Sequence, residues 1–359
     1  MDGASYCVGA TQQISIRSTS LVRACGGEAL IDATVRSIIV DKGRAVGVRV
    51  SNTSALWECD TDDERDRVPI TEIRAHNIVW ATGIYNLYSK MLPQDLPVVQ
   101  AFHNPKKRTV RQSNGHIFLF VKIKGNADEI GLPDHNLWYF NSYDMDQAFD
   151  EYFANPTETR PPTVYIGFPC TKDTSWKRRF PGVSNCVLIS DGLWEWFAKW
   201  ENSTHVKHRG ADYESFKAQL SKHLLDILYE TIPQVKGKVE FHMLGTPLSE
   251  VSYLASYHGG SYGTMCVPTM FAPENRQWTT TPHTVVPGLY LAGSDAFLPA
   301  VCGAMYGGCF GAAAVLGHLR TFKLMLAFLA DFAQSIRDDN PKLSWMEAYS
   351  IAWNKFVNE

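Results

Sequence analysis

Between residues 33 and 50 apolar and polar positions alternate, in "ATVRSIIVD" and again in "AVGVRV", around Asp41-Lys42-Gly43. Alternation sorts side chains onto the two faces of a strand, and the intervening residues suit a tight turn, so the pattern predicts a β-hairpin. Before it, an amphipathic helical segment ends at Gly26-Gly27, a natural helix stop, and a short strand is expected around Ala29-Leu30. Residues 51–71 are polar and read as a loop or hairpin-tip insertion. "EIRAHNIVWATG" then reads as one buried strand running into Ala81-Thr82-Gly83.

From Ile84 the pattern changes. "HIFLFVKIKG", "HNLWYFN", "TVYIGFP" and "NCVLIS" are rich in aromatic and β-branched residues and predict strands. "DMDQAFDEYFA", "LWEWFAKWE" and "DYESFKAQLSKHLLDILYETI" predict helices between and after them, and the last carries an apolar stripe of Phe216, Leu220, Leu224, Ile227 and Leu228 that suits a core. A strand returns at "GLYLAG", followed by Ser294-Asp295 and a stretch without charge over residues 296–317. Gly303, Gly307 and Gly311 fall four apart in it, which fits either a membrane helix or the wall of a buried cofactor site. Its small residues, where a span would carry Leu, Ile and Val, favour a buried wall with a flat ring against the glycines. Two amphipathic helices close the chain. The second opens with a Ser344/Glu347 capping box and carries Trp345, Tyr349, Trp353 and Phe356 on one stripe, expected to dock on the body or, alternatively, to meet a membrane surface or partner.

Composition narrows the function. At 359 residues the chain has room for about two domains. A net charge of −3, with Lys106, Lys107 and Arg108 as one short loop cluster, argues against a nucleic-acid partner. The eight cysteines are scattered without a CxxC or zinc spacing, so no metal is expected and buried reduced thiols are. Asn52-Thr53-Ser54 and Asn202-Ser203-Thr204 are sequons, and "MDGASYCVGATQQISIR" holds no apolar run of the signal-peptide kind.

The chemistry concentrates at strand ends. Gly293 lets a ligand approach the backbone, and the Asp295 carboxylate after it suits the hydroxyls of a ribityl or ribose chain. The glycine-rich helix, expected to start near Cys302-Gly303, would aim free N–H groups at an electron-rich edge such as flavin N1/O2. Ala81-Thr82-Gly83 would let a dinucleotide pass a second strand end, and the Val35 backbone could meet an adenine edge. "YLASYHGGSYG" offers Tyr257, Tyr262 and His258; they read as a packed aromatic turn, or as substrate contacts with His258 as proton source.

The order "ACGG…ATVRSIIVDKGRAVGVRV…NIVWATG…PGLYLAGSDAF…GAMYGG" resembles the later part of the FAD-dependent phytoene desaturase and carotenoid isomerase group of amine-oxidase-like flavoproteins. "YDMDQAFDEYFANP", "FPCTKDTSWKRRFPG", "EWFAKWE", "KHRGADYESFK" and "GTPLSEVSYLASYHGGSYG" resemble, more narrowly, its retinol 13,14-reductase (retinol saturase) branch. The resemblance runs over about residues 6–318. It implies an α/β fold: the later part of a Rossmann-like FAD/NAD(P)-binding flavoprotein with a mixed-sheet substrate domain and a helical tail. The implied division is 1–83 and 246–318 for FAD, 84–245 for substrate and 319–359 for the tail. It implies FAD as cofactor, NAD(P)H as electron donor, saturation of one double bond of a retinoid or other polyene, and peripheral contact with the endoplasmic reticulum membrane. Carried over residue by residue, Val35 meets the adenine side and Ala81, Thr82 and Gly83 line the dinucleotide. Asp295 meets the sugar-alcohol chain, with Gly293 and Ser294 beside it among the cofactor-binding residues, and Gly303, Ala304 and Met305 start the helix facing the ring. A carotenoid isomerase or desaturase is the neighbouring alternative. The sequence departs from the group in having no GxGxxG, the turn that cradles a pyrophosphate, and in placing Ala10 at the second glycine of a Tyr-x-x-Gly-Gly-like turn. The chain therefore reads as the later part of a larger protein, expected to hold FAD weakly by itself, with a non-catalytic fragment as the other alternative.

Overall fold

The computed structural model describes residues 6–59, 61–203 and 209–358; Thr204 of the second sequon and the Phe356 side chain lie outside the described residues. The hairpin forms as the alternation requires: β1 (Ala33–Asp41) pairs antiparallel with β2 (Arg44–Asn52). Lys42 (φ 46°) and Gly43 (φ 76°) both take the left-handed conformation of a twisted two-residue turn. The strand expected over residues 72–83 divides in two. β3 (Thr71–Arg74) joins β2 to complete a three-stranded sheet, and β4 (Ile78–Trp80) leaves it to pair in parallel with the much later Leu289–Leu291. The polar stretch is also not plain loop. It holds two short helices, Thr53–Trp57 and Asp62–Arg67, the first capped by the Asn52 side chain and the second by a Thr61/Glu64 capping box. The strand expected at Ala29-Leu30 does not form; no described strand lies beside it, and Leu30 and Ile31 are exposed. α1 (Gln12–Ala24) ends before Gly26 as expected but buries none of its residues.

A second, five-stranded antiparallel sheet runs β6-β7-β8-β5-β9, with β5 at His116–Lys124, β6 at Leu137–Phe140, β7 at Thr163–Gly167, β8 at Val183–Asp191 and β9 at Val239–Gly245. The sequence reading missed β9, an edge strand whose residues are mostly exposed. One sheet face, with Ile117, Leu119, Val121 and Ile123 of β5, is buried under α3 (Ala211–Thr231) through Leu220, Leu224, Ile227 and Leu228; α2 (Met145–Ala154) lies between β6 and β7 in the chain. The other face stays open. Cross-strand register places Phe120 beside Met243, Lys122 beside Phe241, and Trp138 beside Tyr165 on it. The second core unites the hairpin, β4 and β10 (Leu289–Leu291) with residues 84–110 and Trp278. The domain boundary expected at 84 therefore moves: Ile84, Leu87, Tyr88, Val99 and Phe102 pack with the hairpin, and the large sheet begins only after Val110.

α4 (Pro247–Leu254) follows β9, and α5 (Ala300–Leu316) follows β10, starting before the expected Cys302-Gly303. α5 is not buried all round. Only Gly303, Gly307 and Gly311 are buried, while Val301, Met305 and Tyr306 are exposed. The glycines face the protein's own backbone: a Cβ on Gly307 would lie 2.0 Å from the Gly293 carbonyl, one on Gly303 2.2 Å from that of Leu298, and one on Gly311 2.8 Å from that of Leu291. Their spacing serves helix-on-strand packing, not the flat ring expected against them. Among the described residues no helix is long and apolar enough to cross a membrane. The tail is a hairpin of α6 (His318–Asp339) and α7 (Trp345–Asn358), meeting through Ala333, Ala348 and Ala352. The Ser344/Glu347 capping box forms; Trp345, Tyr349 and Trp353 stay largely exposed, while α7 meets α6 through its alanines. Of the cysteines only Cys170 and Cys186 are buried; Cys25, Cys266, Cys302 and Cys309 are exposed, against the expectation of buried thiols.

The amino-terminal turn is tied to the large sheet by Asp173, which is 3% exposed. It accepts from Gly9 N (3.1 Å), Ser175 N (2.9 Å), Ser175 Oγ (2.7 Å) and Arg179. Burial pushes its carboxyl up, but these donors outweigh it and hold the pKa at about 2.

Two outcomes follow from this packing. Gly307→Ala is expected to lower stability by about 1–3 kcal/mol, because the backbone beneath cannot yield. Gly308→Ala on the same helix, with open space around it, is expected to gain up to about 1 kcal/mol. Urea denaturation of both checks the contrast. Because the folded pKa of Asp173 is depressed, its contribution is complete above the unfolded carboxylate pKa of about 4 and is lost as pH falls toward about 2. Asp173→Asn should remove that part of the acid dependence and loosen residues near Gly9, measured by amide exchange.

Candidate functional site

β4 and β10 run parallel in register, Trp80 opposite Leu291, and the chain turns beyond both strand ends. The carboxyl ends of parallel strands are where open α/β sheets leave a ligand crevice. A cleft of about 270 Å³ lies there. Ala81, Thr82 and Gly83 line it from β4, and Ala292, Ser294 and Asp295 from β10. Gln112, Glu250, Tyr257, Ser261 and Tyr262 make the facing wall.

Asp295 holds the two sides together. It is 4% exposed; Oδ2 accepts from Ile84 N at 2.8 Å, and Oδ1 accepts from Thr264 N at 2.9 Å and Thr264 Oγ1 at 2.6 Å. Both oxygens meant for a sugar-alcohol chain thus already accept from the protein, although the residue lines the cleft.

The other expected residues separate. Ala81, Thr82, Gly83, Ser294, Tyr257 and Tyr262 meet at the cleft. Gly293 lies under α5, with its carbonyl against Gly307. Val35 sits in the hairpin opposite Val50, outside the cleft lining. Gly303, Ala304 and Met305 are also outside it: Gly303 is packed on Leu298 and Met305 is exposed. His258 is held at φ 46°, with its ring stacked 5.0 Å from Trp194 and 4.1 Å from Tyr257, and burial lowers its pKa. It belongs to the packed aromatic turn and is not part of the cleft lining.

Sequence reasoning missed a buried polar cluster beside these residues. Glu250 of α4 is 8% exposed, and burial pushes its pKa up to about 7 against the opposing hydrogen bond from Ser261. Ser261 Oγ donates to the Glu250 carboxyl at 3.1 and 3.2 Å and lies 2.9 Å from His116 Nδ1. His116 stands opposite Asp191 across β5 and β8; burial lowers the histidine pKa and raises that of the aspartate, each partly offset by the other. The available signal was a lone acid in the apolar helix "PLSEVSYL", just after a capping threonine.

Two observations bear on a flavin. Gln112 Oε1 is buried at the cleft without a hydrogen-bond partner, and the Gly83 side is open, a Cβ there meeting only Asp295 Oδ2 at 3.7 Å. A planar group with polar edges fits such a wall. Among the described residues no group of three or more His, Cys, Asp or Glu side chains is placed to hold a metal ion. Asp295→Asn would set an amide N–H against a backbone N–H in a buried site, so a loss of about 2–4 kcal/mol is expected. Thr264→Val, which removes one neutral donor to the same carboxylate, should cost about half as much, both read from thermal melts.

No family model matches the chain. All-trans-retinol 13,14-reductase of Homo sapiens is 30% identical over 328 residues, 88% of this chain and 50% of that protein. Inactive all-trans-retinol 13,14-reductase of Danio rerio is 28% identical over 334 residues, 90% of this chain and 51% of that protein. Among solved structures, an oxidoreductase from Methanosarcina mazei superposes with a TM-score of 0.46 at 14% identity, over 84% of this chain and 53% of that one. The chain is thus similar to all-trans-retinol 13,14-reductases along 88% of its own length, and it spans about half the length, 50%, of the curated relatives it matches.

Proposed function

We propose that the chain serves a flavin-dependent oxidoreductase that saturates one double bond of a conjugated polyene alcohol, all-trans-retinol or a close relative. The observation that carries this reading is the junction of an apolar surface with a polar cleft. Phe118, Phe120, Trp138, Tyr165 and Met243 share the open face of the large sheet, and the same face ends at His116, whose Nδ1 meets the cleft residue Ser261. A long apolar chain laid on that face would bring one end to the cleft. Ala81, Thr82, Gly83 and Gln112 would hold the ring end of FAD there, and when bound it would supply the hydride, replenished from NAD(P)H. The same reading puts the protein at the surface of the endoplasmic reticulum membrane, where exposed Leu319, Phe322 and Phe328 of α6 would meet lipid.

A second reading, a non-catalytic relative, takes its support from a similar protein that is itself named inactive. Titration of the purified chain with riboflavin and FAD separates the two. Saturable quenching of flavin fluorescence is expected, weakened at least about tenfold by Gly83→Val, which fills the open side and disfavours φ 88°. Incubation with FAD, NADPH and all-trans-retinol should then give the 13,14-dihydro product. No quenching and no product would leave the non-catalytic reading, and an isomerised or further desaturated product would point to the carotenoid-type alternative.

A further inference from the structure

We propose that Glu250, Ser261 and His116 form a proton-delivery site, in which Glu250 holds a transferable proton at the cleft wall and His116 reloads it through the Ser261 hydroxyl. The role toward a cleft occupant rests on the reduction proposed above, because saturating a double bond takes one hydride and one proton. The relay itself rests on this chain's own geometry.

Ser261 has one proton and stands between two groups that can each hold another. In one form Glu250 is protonated, its O–H donates to Ser261 Oγ, and the Ser261 O–H donates to His116 Nδ1. In the other His116 carries a proton on both nitrogens, its Nδ1–H donates to Ser261, and Ser261 donates to the Glu250 carboxylate. The two forms differ by one concerted shift of two protons, with no change in total charge. Burial favours the first, the form without separated charges, and no lysine or arginine pairs with Glu250 among the described residues to favour the second. When Glu250 gives its proton to a carbanion-like centre in the cleft, Ser261 turns its O–H to the new carboxylate. His116, which held its proton on the other nitrogen, exchanges through solvent water to the Nδ1–H tautomer that donates to Ser261, releasing one proton and gaining one, and then takes up one further proton from water on the freed nitrogen. The Nδ1 proton then passes to Ser261 as the Ser261 proton passes to Glu250, which restores the starting state.

The surrounding groups suit this duty. Asp191 faces His116 across the β5–β8 pair and stabilises its charged form, and the Tyr262 ring stands edge-on to the imidazole with the ring centroids 5.6 Å apart. On the cleft side stand Tyr257, with Lys90 Nζ 5.7 Å over its ring, and Asp295, whose oxygens are held by Ile84 and Thr264. Arg209 meets α4 at the Ser252 hydroxyl at 2.8 Å, two residues beyond Glu250.

The test is an NMR titration of the full chain labelled with 13C at glutamate carboxyls and 15N at histidine rings. Glu250 is expected to titrate near neutrality, with the His116 Nδ1 resonance moving in the same step. Ser261→Ala should uncouple the two, and Glu250→Gln should erase the step from His116. A Glu250 already ionised by about pH 5, as ordinary carboxylates are, or coupling that survives Ser261→Ala, overturns the relay. The flavin-loaded protein gives the second arm. Compared at equal flavin loading, Glu250→Gln should cut product formation by about 100-fold or more. Coupled titration together with full product formation in Glu250→Gln overturns the delivery role. Failure of the wild-type chain to bind flavin overturns the reading of the cleft instead, and the NMR result still decides the relay.

Discussion

One buried carboxylate carries much of this architecture. Asp295 lies 211 residues from Ile84 and 31 from Thr264, and it accepts backbone N–H bonds from both. Without it the two strand ends and the facing wall would present unpaired donors to a dry interior, which costs more than the bonds themselves contribute. The parallel β4–β10 pair is short, three residues on each strand, and parallel pairs need a long crossover that contributes nothing until both ends are in place. The entire large sheet is threaded through that crossover. A charge-assisted clasp at the carboxyl ends of the strands is what such a closure requires, and it also fixes where the cleft opens.

The glycine face of α5 completes the closure from below. Helix and strand approach until a Cβ on Gly307 would overlap the Gly293 carbonyl. Such contact is possible only with no side chain on that helix face, so the glycine spacing records a distance between two backbones. It also explains the missing charge. The buried stripe leaves no room for any side chain, and the outward face is apolar, with Val301, Met305 and Tyr306.

Much of the fold was legible because its signals are local. The hairpin, four strands of the large sheet, the Leu220–Leu228 stripe and the Ser344 cap each follow from residues within a few positions of one another. The parallel partner of β4 was not legible, since nothing near Ile78 specifies Leu289. The site divides along the same line. Small residues at strand ends marked Ala81-Thr82-Gly83 and Ser294-Asp295, a consequence of backbone shape alone. The roles expected of Gly303, Ala304 and Met305 came from resemblance, and the structure puts those residues on the packing and solvent sides of α5. Glu250 escaped because what sets it apart is burial against Ser261 and His116, contacts 11 and more residues away.

The polar cluster and the apolar sheet face explain each other. A carboxyl stays protonated near neutrality only where water cannot solvate its charge, and Glu250 at 8% exposure meets that condition. The open face of Phe118, Phe120 and Tyr165 runs down β5 to His116, so any apolar chain laid along it would exclude more water from the same corner. Removing water would raise the cost of the charged pair and leave the neutral one nearly untouched. The proton would then be held most firmly at Glu250 when the sheet is covered. A surface that is apolar along its length and protonic at one end is therefore suited to a long hydrocarbon that must gain a single proton at one place.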